Sequence, residues 1–220
     1  ITSADVLDLA FDGGCFLVKT SNRQYRSRVV VIASGTKPIN FSDFSIPVHL
    51  RNHVFYEVHP LLEIKEKRIV IVGAGDASFD YALNLGKMND VIILNRGSEV
   101  KCLPLLWERA SVAPRITYRQ KTRIVKMLDS PKNGFALECC NSKETELITA
   151  DYLIGAIGRT AELDFLSSEL LERFEELEEK GLLYFVGDVK NDIYRQTSIA
   201  VGDGILAAMK IHRKFKEIIE

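Results

Sequence analysis

The segment Arg68-Ile-Val-Ile-Val-Gly-Ala-Gly-Asp-Ala-Ser78 runs an apolar stretch directly into a Gly-x-Gly-x-x-Ser turn. These residue types at this spacing suit the phosphates of a dinucleotide. The apolar stretch reads as a buried parallel strand ending at Val72, and a helix is expected over Asp76–Leu85. Gly73 permits the tight turn out of the strand. Gly75 has no side chain, so a pyrophosphate can approach the backbone at the positive end of the helix. Asp76 and Ala77 open that helix, and small Ser78 lets it sit close to the strand. A second strand at Val91–Leu94 completes a βαβ unit, which makes the glycine pattern far more specific than a lone triplet.

The tip of that second strand bears on the choice of dinucleotide. Sites that read an unphosphorylated ribose usually place Asp or Glu there, to accept from the 2′-hydroxyl. Here the tip reads Asn95-Arg96-Gly97-Ser98-Glu99-Val100-Lys101. Asn95, Arg96 and Lys101 can hold a 2′-phosphate through charge-assisted hydrogen bonds. The tip therefore favours NADP over NAD, with Glu99 as the counter-argument.

Bulk properties narrow the field without naming a reaction. A chain of 220 residues suffices for one large domain or two modest ones, at roughly 100–200 residues each. Its 30 acidic and 29 basic residues nearly cancel, so no strong field points to nucleic acid or an anionic membrane. No apolar run approaches the ~20 residues needed to span a bilayer. Cys15, Cys102, Cys139 and Cys140 form no Cys-x-x-Cys pair. They read as structural thiols of a reducing, cytoplasmic protein. The four histidines form no ligand cluster, so no metal site is expected, and His49 and His53 fall on a linker.

Three zones position these residues. Short strands are expected at Asp5–Phe11, Cys15–Thr20, Gln24–Ser27 and Arg28–Ala33, with a hairpin at Gly13-Gly14. Residues 39–62 lack periodicity and read as a crossover. From 63 to 150 the βαβ unit leads into strands at Ile116–Arg119, Arg123–Leu128, Phe135–Cys140 and Glu144–Thr149, with a turn at Pro131-Lys-Asn-Gly134. The third zone, 151–220, has Leu166, Leu170, Phe174 and Leu177 at helical spacing within and just before the charged segment Ser168–Lys180. A strand Leu182–Val186 and a helix Ala200–Ile219 close the chain, with Ile205, Met209, His212 and Phe215 on one face of that helix.

Taken together, the segments resemble the flavoprotein pyridine nucleotide-disulfide oxidoreductases, within them the thioredoxin reductase-like branch. Val30-Val-Ile-Ala-Ser-Gly-Thr-Lys-Pro38 is similar to the strand and loop, with Gly35, where the chain leaves the FAD domain. The Gly73–Ser78 turn with Asn95, Arg96 and Lys101 resembles the NADP motif and its phosphate reader. Leu153-Ile-Gly-Ala-Ile-Gly-Arg159, with Gly158, resembles the return crossover. Val186-Gly-Asp-Val189, Tyr194-Arg-Gln-Thr197 and Ala200-Val-Gly-Asp-Gly204 resemble the carboxy-terminal FAD motif. The resemblance implies an α/β fold in which a Rossmann-like NAD(P)-binding domain is inserted in the remaining part of a three-layer FAD-binding domain. It divides the chain into 1–38 (FAD domain), 39–62 (linker), 63–150 (NADP domain) and 151–220 (FAD domain). Gly187 and Asp188 would meet a ribityl hydroxyl of FAD. Arg195, Gln196 and Thr197 would lie along the flavin, before a helix whose amino end stabilises its reduced, anionic form.

Two departures from the pattern qualify the implied activity. No amino-terminal Gly-x-Gly-x-x-Gly unit for the FAD pyrophosphate precedes these segments, and the expectation is a fragment or cleaved product of a longer chain. The redox Cys-x-x-Cys is also missing, since its place holds His53-Val-Phe-Tyr-Glu-Val-His59. The expected function is therefore an NADPH-dependent FAD oxidoreductase whose disulfide reductase activity is doubtful and whose acid–base residues are none. Its acceptor would be a small redox protein or a small molecule, and the branch is usually homodimeric. The alternatives are ferredoxin–NADP reductase-like electron transfer, a non-catalytic NADP(H)-binding module, and a thioredoxin reductase using Cys139 and Cys140.

Overall fold

The computed structural model describes residues 3–130, 134–141 and 144–219. Residues 38–159 form one compact unit, and 1–37 with 160–220 form another. The chain begins with an antiparallel meander, β1 (Val6–Asp12), β2 (Cys15–Thr20) and β3 (Gln24–Ser27). Gly13 and Gly14 turn the first hairpin with φ of +55° and +82°, values that glycine reaches without steric cost. Next come β4 (Val30–Ile32), shorter than the Arg28–Ala33 expected, and β5 (Thr36–Pro38).

In the 38–159 unit the segment 39–62 is more structured than its lack of periodicity suggests. It carries 3₁₀ helix at Val48–His53 (two turns) and His59–Leu61 (one turn), and a two-residue strand β6 (Val54–Phe55). Then follow β7 (Arg68–Val72), α1 (Asp76–Leu85), β8 (Asp90–Leu94), α2 (Pro104–Val112) and β9 (Ile116–Arg119). The strands β10 (Arg123–Asp129), β11 (Phe135–Cys140) and β12 (Thr145–Ala150) make an antiparallel meander. Of the turn expected at Pro131–Gly134, all but Gly134 lies outside the described residues. Strand β13 (Tyr152–Gly155) returns to the parallel sheet, whose order is β6-β13-β7-β8-β9. Ile69, Val70 and Ile71 are fully buried, as expected of a parallel strand covered on both faces. One face packs against Phe79, Ala82 and Leu85 of α1. The other packs against the meander through Leu94, Leu137 and Leu153, joined by Phe41, Phe44 and Ile46 from the crossover. Burying each such side chain stabilises by about 1.5–3 kcal/mol, so these two faces hold β7 in place and the turn at Gly73 ends it.

The return brings β14 (Arg159–Ala161), which forms a two-stranded ribbon with β5, then α3 (Ser168–Glu179), β15 (Leu183–Phe185) and α4 (Thr197–Ile219). Ser167 caps α3, its hydroxyl accepting from the Leu170 amide at 3.2 Å. Leu166, Leu170 and Leu177 join Leu9, Phe16 and Ile32 in a separate core. Strand β15 runs parallel to β4. Along α4 the helical face holding Ile205, Met209 and His212 points outward, and Ala207 is the side buried.

Candidate functional site

The glycine turn follows β7 at the carboxyl edge of the parallel sheet. Strand order reverses there, between β8 on one side and β13 on the other, which is where open α/β sheets take ligands. Gly73 has φ of +142°, and a Cβ on it would collide with the Ala156 carbonyl oxygen and the Ser78 hydroxyl. Around Gly75 the equivalent space is open to 4 Å. Gly75 caps α1 without any side-chain hydrogen bond, which leaves first-turn amides for an anion. The turn is thus closed against the protein and open outward, a shape that fits a dinucleotide pyrophosphate.

The carboxylate of Asp76 accepts the Leu103 amide at 2.7 Å, tying the start of α1 to the start of α2. Ser78 is 0 % exposed, and its hydroxyl has no hydrogen-bond partner among the described residues. It is small enough to fit beneath Gly73, but its oxygen is an orphan. Lys101 is fastened beside the turn by its backbone, which donates to the Ala74 carbonyl at 2.8 Å and bridges in parallel with Gly75.

Asn95 is placed differently from the outward reader its position suggests. It is only 7 % exposed. Its amide nitrogen donates to the Glu99 carbonyl at 2.9 Å and to the Tyr118 hydroxyl at 2.8 Å. Its oxygen accepts from the Gly97 amide at 2.9 Å. All of the amide's strong contacts are spent framing the 95–101 loop, which leaves Arg96 and Lys101 as the exposed cations. Sequence reasoning missed the aromatic group behind this frame. Tyr118 meets Trp107 edge-on with centroids 5.0 Å apart, and both touch Phe79. Trp107 is the only tryptophan of the chain and sits on α2, whose unpatterned sequence gave no signal.

A second group missed from sequence follows β6 and β13 at the same sheet edge. The Glu57 carboxylate pairs with Arg159 and accepts weakly from the Tyr81 hydroxyl at 3.5 Å. Burial, then the Glu57 charge, pushes the Tyr81 phenol above its ordinary value. The Gly158 carbonyl accepts the Ile39 amide at 3.0 Å, and Gly158 has φ of +122°.

In the other unit, Gly35 has φ of +71° and its carbonyl accepts the Glu162 amide. Gly187 has φ of +74° and lies so near α4 that a Cβ would sit 3.3 Å from Ala200 Cβ. Its amide donates to the Asp203 carboxylate at 3.0 Å, which also accepts from the Asn191 side chain at 2.6 Å. These two donors, Asn191 first, hold Asp203 below the usual carboxylate range. Asp188 is half-buried and its carboxylate has no partner among the described residues, which fits a hydroxylated ligand chain. The Gln196 carbonyl accepts the first helical bond of α4, from Ala200, so Thr197 opens that helix. Arg195 is half-buried just before it, and Gln196 is exposed.

All four cysteines are free thiols. Burial pushes the Cys139 thiol up to about 12, so it supplies no thiolate at neutral pH. Adjacent Cys140 points to the opposite face of β11. No helix among the described residues is long and apolar enough to cross a membrane.

The profile of the pyridine nucleotide-disulphide oxidoreductase family matches residues 1–183. A thioredoxin reductase of Borreliella burgdorferi is 21 % identical over 94 % of this chain and 67 % of its own length. A ferredoxin–NADP reductase of Anaplasma marginale is 28 % identical over 74 % of this chain and 51 % of its own. The chain thus spans about half to two thirds of these relatives. The thioredoxin reductase structure of Lactococcus lactis superposes with a TM-score of 0.81 at 20 % identity, over 96 % of this chain and 74 % of that one. This chain belongs to the pyridine nucleotide-disulphide oxidoreductase family.

Proposed function

We propose that this family member is an NADPH-dependent flavoprotein oxidoreductase, or the greater part of one. The 38–159 unit binds NADP(H), and the 1–37 and 160–220 segments hold part of FAD. One observation carries the reading: a glycine turn closed beneath and open above, with Lys101 fastened beside it. The first-turn amides of α1 take the pyrophosphate, and Arg96 and Lys101 take the 2′-phosphate. Asn95 shapes the loop that presents them. For FAD the fit is partial. Asp188 offers an unpaired carboxylate to a ribityl hydroxyl, and the amino end of α4 faces developing negative charge. These 220 residues contain no second glycine-rich turn for the FAD pyrophosphate. When both are bound, NADPH supplies a hydride that FAD accepts and passes on as electrons, chemistry that belongs to the cofactors.

Residues 53–59 favour one acceptor class over another. The branch's dithiol is replaced by His53-Val-Phe-Tyr-Glu-Val-His59, which leaves no thiol there to take electrons. This supports delivery to a ferredoxin-type protein or a small molecule rather than disulfide reduction. The reading extends to a cytoplasmic setting and to a homodimer, the latter checked by sedimentation equilibrium. Titrating NADPH into the chain is expected to release heat, change Trp107 fluorescence and protect the 73–78 amides from hydrogen exchange. No heat and no protection would overturn the proposal. A yellow protein bleached by NADPH supports the enzyme, whereas a colourless one that still binds NADPH supports a non-catalytic nucleotide-binding module.

A further inference from the structure

Arg96 is not left alone at the loop tip. Its guanidinium lies 3.8 Å from the Asp43 carboxylate, with Arg96 82 % and Asp43 72 % exposed. Asp43 comes from the crossover segment, far away in sequence, yet its station is fixed. Its flanking residues Phe41 and Phe44 pack ring to ring at 5.1 Å. Both pack on the core that holds Leu94, the residue just before the 95–101 loop. The Phe41 amide is further tied to the Tyr56 hydroxyl at 3.0 Å. On the other side, Asn95 turns inward while its neighbour Arg96 stays exposed within reach of Asp43.

We propose that Asp43 is a specificity-determining counter-ion for Arg96, displaced when a 2′-phosphate arrives. The inference rests on the NADP reading above. An exposed pair at this distance is weak and exchangeable, worth about 0.2–1 kcal/mol. A phosphate with close to two negative charges and three acceptor oxygens outcompetes a single carboxylate for the same guanidinium. The carboxylate therefore lowers affinity for the phosphorylated dinucleotide and leaves the unphosphorylated one unaffected. Glu99 lies on the same loop and Lys101 at its end, and Lys121 is joined to the loop by its amide on the Gly97 carbonyl at 2.8 Å, so the local field at Arg96 combines carboxylates and cations from separate segments.

Calorimetric titration of the 220-residue chain with adenosine 2′,5′-bisphosphate and with 5′-AMP isolates the 2′-phosphate, and NADPH against NADH repeats the comparison. Asp43→Asn is expected to tighten the bisphosphate and NADPH about two- to fivefold, with AMP and NADH unchanged. The gain should shrink as salt screens exposed charges and vanish in an Arg96→Ala background. Unchanged NADPH affinity in D43N overturns the proposal. Weakened NADH binding also overturns it, by making Asp43 a reader of the ribose hydroxyl. The underlying reading is tested separately: it fails if Arg96→Ala and Lys101→Ala both leave the NADPH-to-NADH ratio unchanged.

Discussion

Replacing Gly73 and Gly75 in turn by Ala should separate what the turn does for the fold from what it does for its ligand. At Gly73 the φ of +142° is almost confined to glycine, and forcing Ala there costs about 1–3 kcal/mol in backbone strain. The new methyl would also strike the Ala156 carbonyl, whose carbon would be 3.0 Å away, and the Ser78 hydroxyl. The Ala156 carbonyl is main chain and the Ser78 side chain is fully buried, so overpacking adds about another 1–3 kcal/mol. Gly73→Ala should therefore lose about 2–6 kcal/mol. Gly75 has an ordinary φ of −96° and open space around it. Ala is a poorer cap there than Gly, but it also restricts the unfolded chain by about 0.4–1 kcal/mol, and the two effects nearly cancel. Gly75→Ala should keep wild-type stability yet weaken NADPH binding about tenfold or more, because its methyl fills the path of the pyrophosphate. Urea unfolding followed by Trp107 fluorescence gives the first quantity, and calorimetry the second. A Gly75→Ala protein that binds NADPH normally would refute the placement of the phosphates. A Gly73→Ala protein of full stability would refute the packing beneath the turn.

Three further expectations concern groups with unusual surroundings. Ser78→Ala removes a buried hydroxyl that lacks a partner and adds a better helix former, so stability should rise by about 0.5–2 kcal/mol. A loss measured by urea unfolding would show that the oxygen has a partner after all. Asp203 is held below its ordinary 3.8 by Asn191 and Gly187. A depressed carboxylate contributes stability above its unfolded value and loses it as pH falls through the folded one. Wild type should therefore lose stability below about pH 4 more steeply than Asp203→Asn, in thermal melts at stepped pH. Parallel curves would count against the Asp203 network. Cys139, with its thiol pushed up to about 12 by burial, should resist alkylation at pH 7 until the chain unfolds, while half-buried Cys15 and Cys140 react first. Peptide mass mapping after timed alkylation reads the order, and early labelling of Cys139 would contradict its burial.

What could be read from sequence follows from how local each signal is. Helix α1 matches its expected Asp76–Leu85 span because strand, glycines and apolar period agree over a dozen neighbouring residues. Helix α2 was missed because Leu105, Trp107 and Val112 are exposed and Ala110 alone is buried. No apolar face recurs at helical spacing there. The crossover lacks periodicity because it packs through isolated side chains such as Phe41, Phe44 and Leu50, which follow no repeat. Asn95 was legible as a residue of the strand tip but not in its direction. That is set by Tyr118, 23 positions later, a long-range partner that local pattern cannot supply. Asp43 met Arg96 unannounced for the same reason.

Lys101 keeps its station through main-chain atoms, its amide on the Ala74 carbonyl, and any residue but proline carries that amide. Position 101 is thus open to substitution: its charge can be rewritten with little consequence for folding. Under the proposed NADP reading, exchanging that one side chain would alter the charge offered to a 2′-phosphate on a backbone that stays as it is.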